Sequence, residues 1–323
     1  MIVRWGLTEL AAVLAEVGAE RPYLLASRRH GKPPLLEWEG RWSELPTERI
    51  GDAVEAATAA GADVLVPLGG GSAIDTAKAV SAETSLPVVS IPTTYSGAEW
   101  TPYFGIRDPD RRMRGGGAGA RVEGVVYEPE LTLGLPRAET VGTALNALAH
   151  CAEALYVRER TPASDAHALE GAALIANWLP RVVETPDELA GRTELLRGAC
   201  HAGAALGGSM LALGHALAQA LGGRYGLPHG AMNALSLPPA LRFNAAVAPD
   251  AVARFAEALG VDDAAARVEE LARLGGFERL RDFDVPEAGL PEVAQAAVVR
   301  AGARANPRPV SASEAEALLR SIW

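Results

Sequence analysis

Apolar and polar positions along this chain fall into two regimes. Over roughly the first 135 residues, short apolar runs alternate with stretches of helical periodicity. Residues 7–17 predict an amphipathic helix, and residues 21–26 (RPYLLA) a short buried strand. Residues 49–60 predict a helix closed by Gly61, and residues 63–68 (DVLVPL) a second strand that runs straight into Gly69, Gly70, Gly71 and Ser72. A helix over 73–82 and a third strand over 87–91 (PVVSI) follow. Residues 105–121 form a polar hairpin or loop, residues 122–127 a strand, and a loop then passes Pro129 and Pro136. Strands alternating with helices at this spacing imply a parallel sheet covered by helices. From Arg137 onward helical periodicity dominates and strand signals vanish. The expectation is an α/β N-terminal domain with a parallel sheet over residues 1–136 and an all-α C-terminal domain over 137–323.

Composition narrows the classes of function. With 30 basic and 40 acidic residues the formal net charge is -10, which argues against a nucleic-acid or anionic-membrane partner. Arg28, Arg29, His30 and Lys32 form only a small basic cluster, so an anionic ligand needs a local basic pocket. Cys151 and Cys200 both lie in Ala-rich helical sequence and read as small hydrophobes in a reducing compartment. The first residues carry acidic groups and no uninterrupted apolar core, unlike a signal peptide. No stretch of about 18 apolar residues occurs, so a soluble cytoplasmic protein without a membrane partner is expected.

Two places carry candidate chemistry. The turn at Gly69, Gly70, Gly71 and Ser72 lies between a strand and a helix, where glycines let a phosphate approach the backbone and the helix N-terminus offers unpaired N–H groups. A ligand-free tight turn uses the same residues, Ser72 being a possible helix cap, and Ile74 stands where the G-x-G-x-x-G fingerprint needs glycine. In the helical half, Asn146 and His150 lie four apart on one helix face. His215 sits in a second helical run, and His229 follows fourteen residues later. Three imidazoles converging in apolar sequence suit a zinc or Fe(II) site. His30, His167 and His201 read as structural or surface residues. The hairpin is either a loose surface loop, with Gly115, Gly116, Gly117 and Gly119 giving flexibility, or a mobile flap carrying Arg111, Arg112 and Arg114 towards an anion.

Residues 69–78 (GGGSAIDTAK) resemble the nucleotide signature of the iron-containing alcohol dehydrogenase superfamily, and residues 92–95 (PTTY) its second nucleotide segment. Residues 91–105 (IPTTYSGAEWTPYFG) and 126–136 (VYEPELTLGLP) look like the maleylacetate reductases in particular. The resemblance spans about residues 60–245 and implies a dehydroquinate synthase-like fold with a dinucleotide-binding N-terminal domain. It implies NADPH or NADH held by Gly69, Gly70, Gly71, Ser72, Asp75, Thr93 and Thr94. In relatives an acid after the first strand binds the adenosine ribose. Ser27 stands there and Arg28 and Arg29 follow, an arrangement that accepts the 2′-phosphate of NADPH. The family's metal ligands are one Asp and three His. Here they correspond to Asn146, His150, His215 and His229, and the neutral Asn146 weakens a divalent metal site. Gln219 replaces a histidine of the family's proton relay.

The resemblance therefore implies an oxidoreductase that passes hydride from a cofactor, its nicotinamide in the cleft between the domains, to a small carbonyl or enoyl-keto acid. His150, His215, His229 or Tyr95 is expected to deliver the proton, and Asn146 to bind substrate with Arg112, Arg114, Arg224 or Lys78 pairing a carboxylate. For a maleylacetate reductase the reaction is reduction of maleylacetate to 3-oxoadipate in aromatic catabolism. A metal-dependent alcohol dehydrogenase or aldehyde reductase, and a non-catalytic nucleotide-binding homologue, are the alternatives. A homodimer is possible.

Overall fold

The computed structural model describes residues 1–323 apart from 32, 34 and 35, so Lys32 of the basic cluster lies outside the described residues. The chain divides into two compact units. One comprises Met1–Thr94 and Ala98–Thr132, the other Tyr95–Gly97 and Leu133–Trp323.

In the first unit the strands are β1 (Ile2–Trp5), β2 (Pro22–Leu25), β3 (Gly40–Trp42), β4 (Val64–Gly69), β5 (Pro87–Pro92), β6 (Phe104–Arg107), β7 (Met113–Gly117) and β8 (Arg121–Tyr127). Six of them make one parallel sheet in the order β1-β8-β5-β4-β2-β3. Helices α1 (Leu10–Glu16), α2 (Ile50–Ala59) and α3 (Gly71–Thr84) cover it. Strand alternation sorts the core into two layers. Leu24, Val64, Val66 and Val89 join Leu10, Val13 and Leu14 of α1 on one face. Tyr23, Leu25, Leu65 and Val88 join Ala53 and Ala57 of α2 with Ala77 and Val80 of α3 on the other.

Two strands have no counterpart in the sequence reading, β1 and β3. Both are edge strands of four and three residues, paired on one side only, and so short that alternation is not expressed. The expected helix over 7–17 opens as a 3-10 turn over Leu7–Glu9 before α1. The polar hairpin forms as the antiparallel pair β6–β7. Its glycines meet a packing need, because a Cβ on Gly116 would lie 2.7 Å from the Phe104 carbonyl oxygen and one on Gly117 would lie 2.8 Å from the Phe104 ring.

The second unit is helical: α4 (Arg137–Ala154), α5 (Pro162–Glu184), α6 (Leu189–Gly207), α7 (Leu213–Tyr225), α8 (His229–Ala245), α9 (Pro249–Ala258), α10 (Ala264–Arg273), α11 (Leu290–Val298), α12 (Ala301–Ala305) and α13 (Ala312–Ser321). Thr161 and Ser164 cap α5 reciprocally. α5 packs along α6, while α4 and α7 pack along α8. From Thr140 to Ala154 nearly every residue of α4 is buried, the signature of a central helix. Cys151 is buried and Cys200 half-buried. No helix among the described residues is long and apolar enough to cross a membrane.

Candidate active site

A helix buried on all sides must find partners for every polar group it carries. On α4 these include Asn146, His150 and Glu153, all at most 5% exposed. The Glu153 carboxylate accepts from the N–H of Ala212 at 2.6 Å, the N–H of His215 at 3.1 Å and His215 Nδ1 at 2.8 Å. It thus fixes the entry of α7 and keeps the His215 proton on Nδ1. His215 Nε2 then faces Asn146 Oδ1 at 3.3 Å. The same Oδ1 accepts a 2.6 Å hydrogen bond from Asn233 Nδ2, which lies 3.1 Å from His229 Nε2 one turn back on α8. Close approach of α8 to α4 makes this meeting possible: a Cβ on Gly230 would lie 2.4 Å from the Gly142 carbonyl.

The three histidines do gather. The rings of His150 and His215 stack at 4.7 Å with 13° between their planes, and His229 tilts against His215 at 5.8 Å. Burial above all, then the neighbouring His215 and His229, push His150 well below the ordinary histidine pKa. His150 is therefore a neutral imidazole near pH 7, and its buried Nδ1 has no hydrogen-bond partner among the described residues.

Residues 95–97 run along the same stripe of α4. Tyr95 N–H donates to Thr143 Oγ1 at 3.4 Å, and Ser96 O accepts from Asn146 Nδ2 at 2.8 Å. Gly97 adopts φ 72°, and a Cβ there would lie 3.4 Å from His150 Nδ1, so glycine suits this position on both counts. The Tyr95 phenol is fully buried, with Oη accepting from Arg192 at 3.3 Å.

As they stand, the residues expected to bind a metal do not fit one. A ring-nitrogen lone pair lies in the ring plane, so His150 and His215, stacked nearly parallel, do not both aim a lone pair at one ion unless a ring turns. Asn233 directs N–H groups at Asn146 Oδ1 and His229 Nε2, the lone pairs a cation would use. Asn146 also brings no charge. Among the described residues no group of three or more His, Cys, Asp or Glu is placed to hold an ion.

In the first unit the nucleotide signature lies at the carboxyl end of the sheet, where open parallel sheets bind ligands. Gly69 pairs with Pro92, and Thr93 N–H donates to Gly69 O at 3.0 Å. A Cβ on Gly70 would lie 2.8 Å from Thr94 Cγ2. Ser72 is not the cap of α3; Gly70 is, and no side chain caps it. The first N–H groups of a 14-residue helix are thus left to an anion, which fits a pyrophosphate. Asp75 pairs with Lys78 at 3.1 Å and accepts from Gly105 N–H at 3.2 Å. Lys78 Nζ also donates to Ala98 O at 2.8 Å and to Tyr103 O, which uses its three donors and leaves none for a substrate carboxylate. Part of the 91–105 string is architectural as well. The fully buried Glu99, its carboxyl held above the usual range by burial, accepts from Tyr127 Oη at 2.7 Å, and Trp100 Nε1 donates to that Oη at 2.8 Å.

Ser27 is half-buried and Arg28 exposed after β2. The Arg41 guanidinium closes this loop by donating to the carbonyls of Ala26, Ser27 and His30. Arg112 is exposed in the hairpin turn. Arg224 is not brought to the histidines: it pairs with Glu292 and lies over the Tyr225 ring. His167 and His201 face each other, Nδ1 to Nδ1 at 2.9 Å. Gln219 is half-buried on α7. The sequence reading missed Glu153, Ser96, Asn233 and Arg192. Asn233 stands four residues after His229, the same spacing as Asn146 and His150, and that was the available signal.

A glycine turn at the carboxyl end of a parallel sheet and a histidine cluster in a helical unit are the two places of this fold that carry chemistry. Residues 7–119 match the model of the iron-containing alcohol dehydrogenases, and residues 140–323 that of the Fe-containing alcohol dehydrogenase family, C-terminal. The chain is 39% identical over 280 residues to a maleylacetate reductase of Burkholderia cepacia, covering 86% of this chain and 79% of that one. It is 36% identical over 287 residues to the maleylacetate reductase of Pseudomonas knackmussii, covering 88% and 81%. The crystal structure of maleylacetate reductase from Agrobacterium tumefaciens superposes with a TM-score of 0.89 at 32% identity, covering 100% of this chain and 95% of that one. The chain belongs to the iron-containing alcohol dehydrogenase family and is an NAD(P)H-dependent oxidoreductase acting on a small molecule.

Proposed function

We propose that this enzyme reduces maleylacetate to 3-oxoadipate without a metal ion. The carrying observation is the Asn146–Asn233 hydrogen bond at 2.6 Å, which makes the centre of the histidine cluster a neutral amide pair instead of a charged cation site. The 35–39% identity to maleylacetate reductases supports the substrate.

A reduced nicotinamide nucleotide, its phosphates held at Gly69 to Ser72, would supply a hydride to the alkene carbon β to the substrate's ketone, so that negative charge develops on the ketone oxygen. The chain's own groups then act. His150, neutral and with Nδ1 uncommitted, donates a hydrogen bond to the developing oxyanion. His229, the half-buried member of the three, relays a solvent proton to the α-carbon and restores the ketone. Glu153 braces His215 with its unprotonated Nε2 towards Asn146, and Asn233 holds Asn146 by donating to Oδ1. Asn146 orients the substrate through the amide hydrogen that Ser96 leaves spare.

NADPH is accepted as well as NADH. Directly after β2, Ser27 stands where relatives carry an acid and the cations Arg28 and Arg29 follow it, so a 2′-phosphate meets attraction there. The same reading makes the protein cytoplasmic, in keeping with its acidic charge.

The test is the initial rate of NADPH and NADH oxidation with maleylacetate, with and without prior chelation. Turnover that survives chelation is expected. Absence of maleylacetate turnover with chelator-sensitive reduction of simple aldehydes would instead identify a metal-dependent alcohol dehydrogenase.

A further inference from the structure

Arg192, in the first turns of α6, is 1% exposed and among the largest fully buried side chains of the protein. Buried charges ordinarily meet an opposite charge. This one does not: its guanidinium donates to Pro186 O at 2.9 Å, Thr140 Oγ1 at 3.0 Å and Tyr95 Oη at 3.3 Å. No carboxylate among the described residues pairs with it. Thr140 lies in the first turn of α4, where the helix dipole is itself positive. A cation held at this cost, by neutral acceptors alone, serves something other than an ion pair.

What it holds is the start of the segment that lines α4. Tyr95, Ser96 and Gly97 meet Thr143, Asn146 and His150 in turn, three positions on one helix face. The Tyr95 ring is anchored at its far end by Arg192, and Arg192 is anchored to α4 through Thr140. Helix, guanidinium and phenol form a bracket that sets where Ser96 O stands, and Ser96 O decides which way the Asn146 amide points. With Nδ2 committed to Ser96, Oδ1 must face Asn233 and His215.

We propose that Arg192 is a positioning residue of the active site, acting through Tyr95 to fix residues 95–97 on α4 and thereby the orientation of Asn146 and His150. This rests on the assignment of Asn146 and His150 to the reacting site. It gives Tyr95 the task of a strut, where the sequence suggested a proton donor.

The test compares Arg192→Met, Arg192→Lys and Tyr95→Phe in the full-length protein. Three quantities are measured: kcat for maleylacetate, cofactor affinity by nicotinamide fluorescence, and hydrogen exchange of the peptide spanning residues 95–97. Expected are faster exchange of that peptide in Arg192→Met, a fall in kcat of about tenfold or more, cofactor affinity within about twofold of wild type, and substantial recovery in Arg192→Lys. Tyr95→Phe keeps the ring and removes only Oη, and it reproduces the exchange and kcat changes if Arg192→Met folds poorly. Unchanged exchange and kcat in both Arg192→Met and Tyr95→Phe would overturn the proposal. So would equal losses of kcat and cofactor affinity in Arg192→Lys and Arg192→Met. A wild-type enzyme inert towards maleylacetate defeats the substrate assignment alone, because exchange of residues 95–97 still decides the role of Arg192.

Discussion

Asn233 Nδ2 donates to Asn146 Oδ1 across 2.6 Å, and this bond puts a hydrogen where the family's name puts iron. Asn146→Asp adds the missing carboxylate, for which Asn233 and a divalent cation then compete. The variant is expected to retain about one zinc or iron per chain after purification, against a small fraction of that in wild type. Metal analysis by mass spectrometry decides, and an ion-free Asn146→Asp would show that the stacking of His150 on His215 alone bars the metal.

Glu153 controls the tautomer of His215. In Glu153→Gln an amide N–H can face Nδ1 and move the imidazole proton to Nε2, opposite Asn146. A fall in kcat of about 10- to 100-fold is expected, together with a tautomer change visible in the nitrogen NMR of the labelled histidine. Wild-type kcat with the tautomer reversed would remove His215 orientation from the mechanism.

Burial of a neutral His150 makes stability depend on pH in a definite direction. In the unfolded chain this histidine takes up a proton near pH 6.5, whereas in the fold it does so only well below that value. The unfolded state therefore binds more protons below pH 6.5, and stability falls as pH falls through that range, levelling off above it. Thermal melts from pH 7.5 to 5 should show this decline, and His150→Asn should flatten it. An equally steep decline in the variant would assign it to other groups.

Cofactor choice is tested at the loop after β2. Arg28→Ala should weaken NADPH binding about tenfold and leave NADH within about twofold. Equal loss of both would mean that Arg28 supports the loop and does not read the phosphate.

Arg224 is tied to Glu292 at the surface, where solvent and salt screen the pair and it contributes little. Arg224→Ala should leave KM for maleylacetate within about twofold. A rise of tenfold or more would place this arginine on the substrate after all.

How much of this was legible in the sequence depends on the length over which a signal repeats. β2, β4 and β5 are read because they are apolar runs buried on both faces, and α4 because its period repeats over many positions, while β1 (IVRW) and β3 (GRW) lie half-exposed at the sheet edges and are broken by arginine. Asn146 and His150 stand out by their helical spacing. Glu153 does not, since a glutamate on a helix ordinarily means solvent, and only the convergence of α7 on α4 reveals that it is 0% exposed. Arg192 carries no signal at all: its partners are a backbone oxygen and two hydroxyls, 6, 52 and 97 residues away.

Residues 95–97 interrupt the sequence of one unit and pack with the other. Inheritance of the two halves is thereby coupled. A gene fusion or recombination joining a foreign sheet unit at residue 132 would deliver a foreign tripeptide to α4, and Asn146 would receive whatever carbonyl it brought. A grafted chimera would have to keep residues 95–97 with the helical unit, so that the carbonyl at position 96 still meets Asn146.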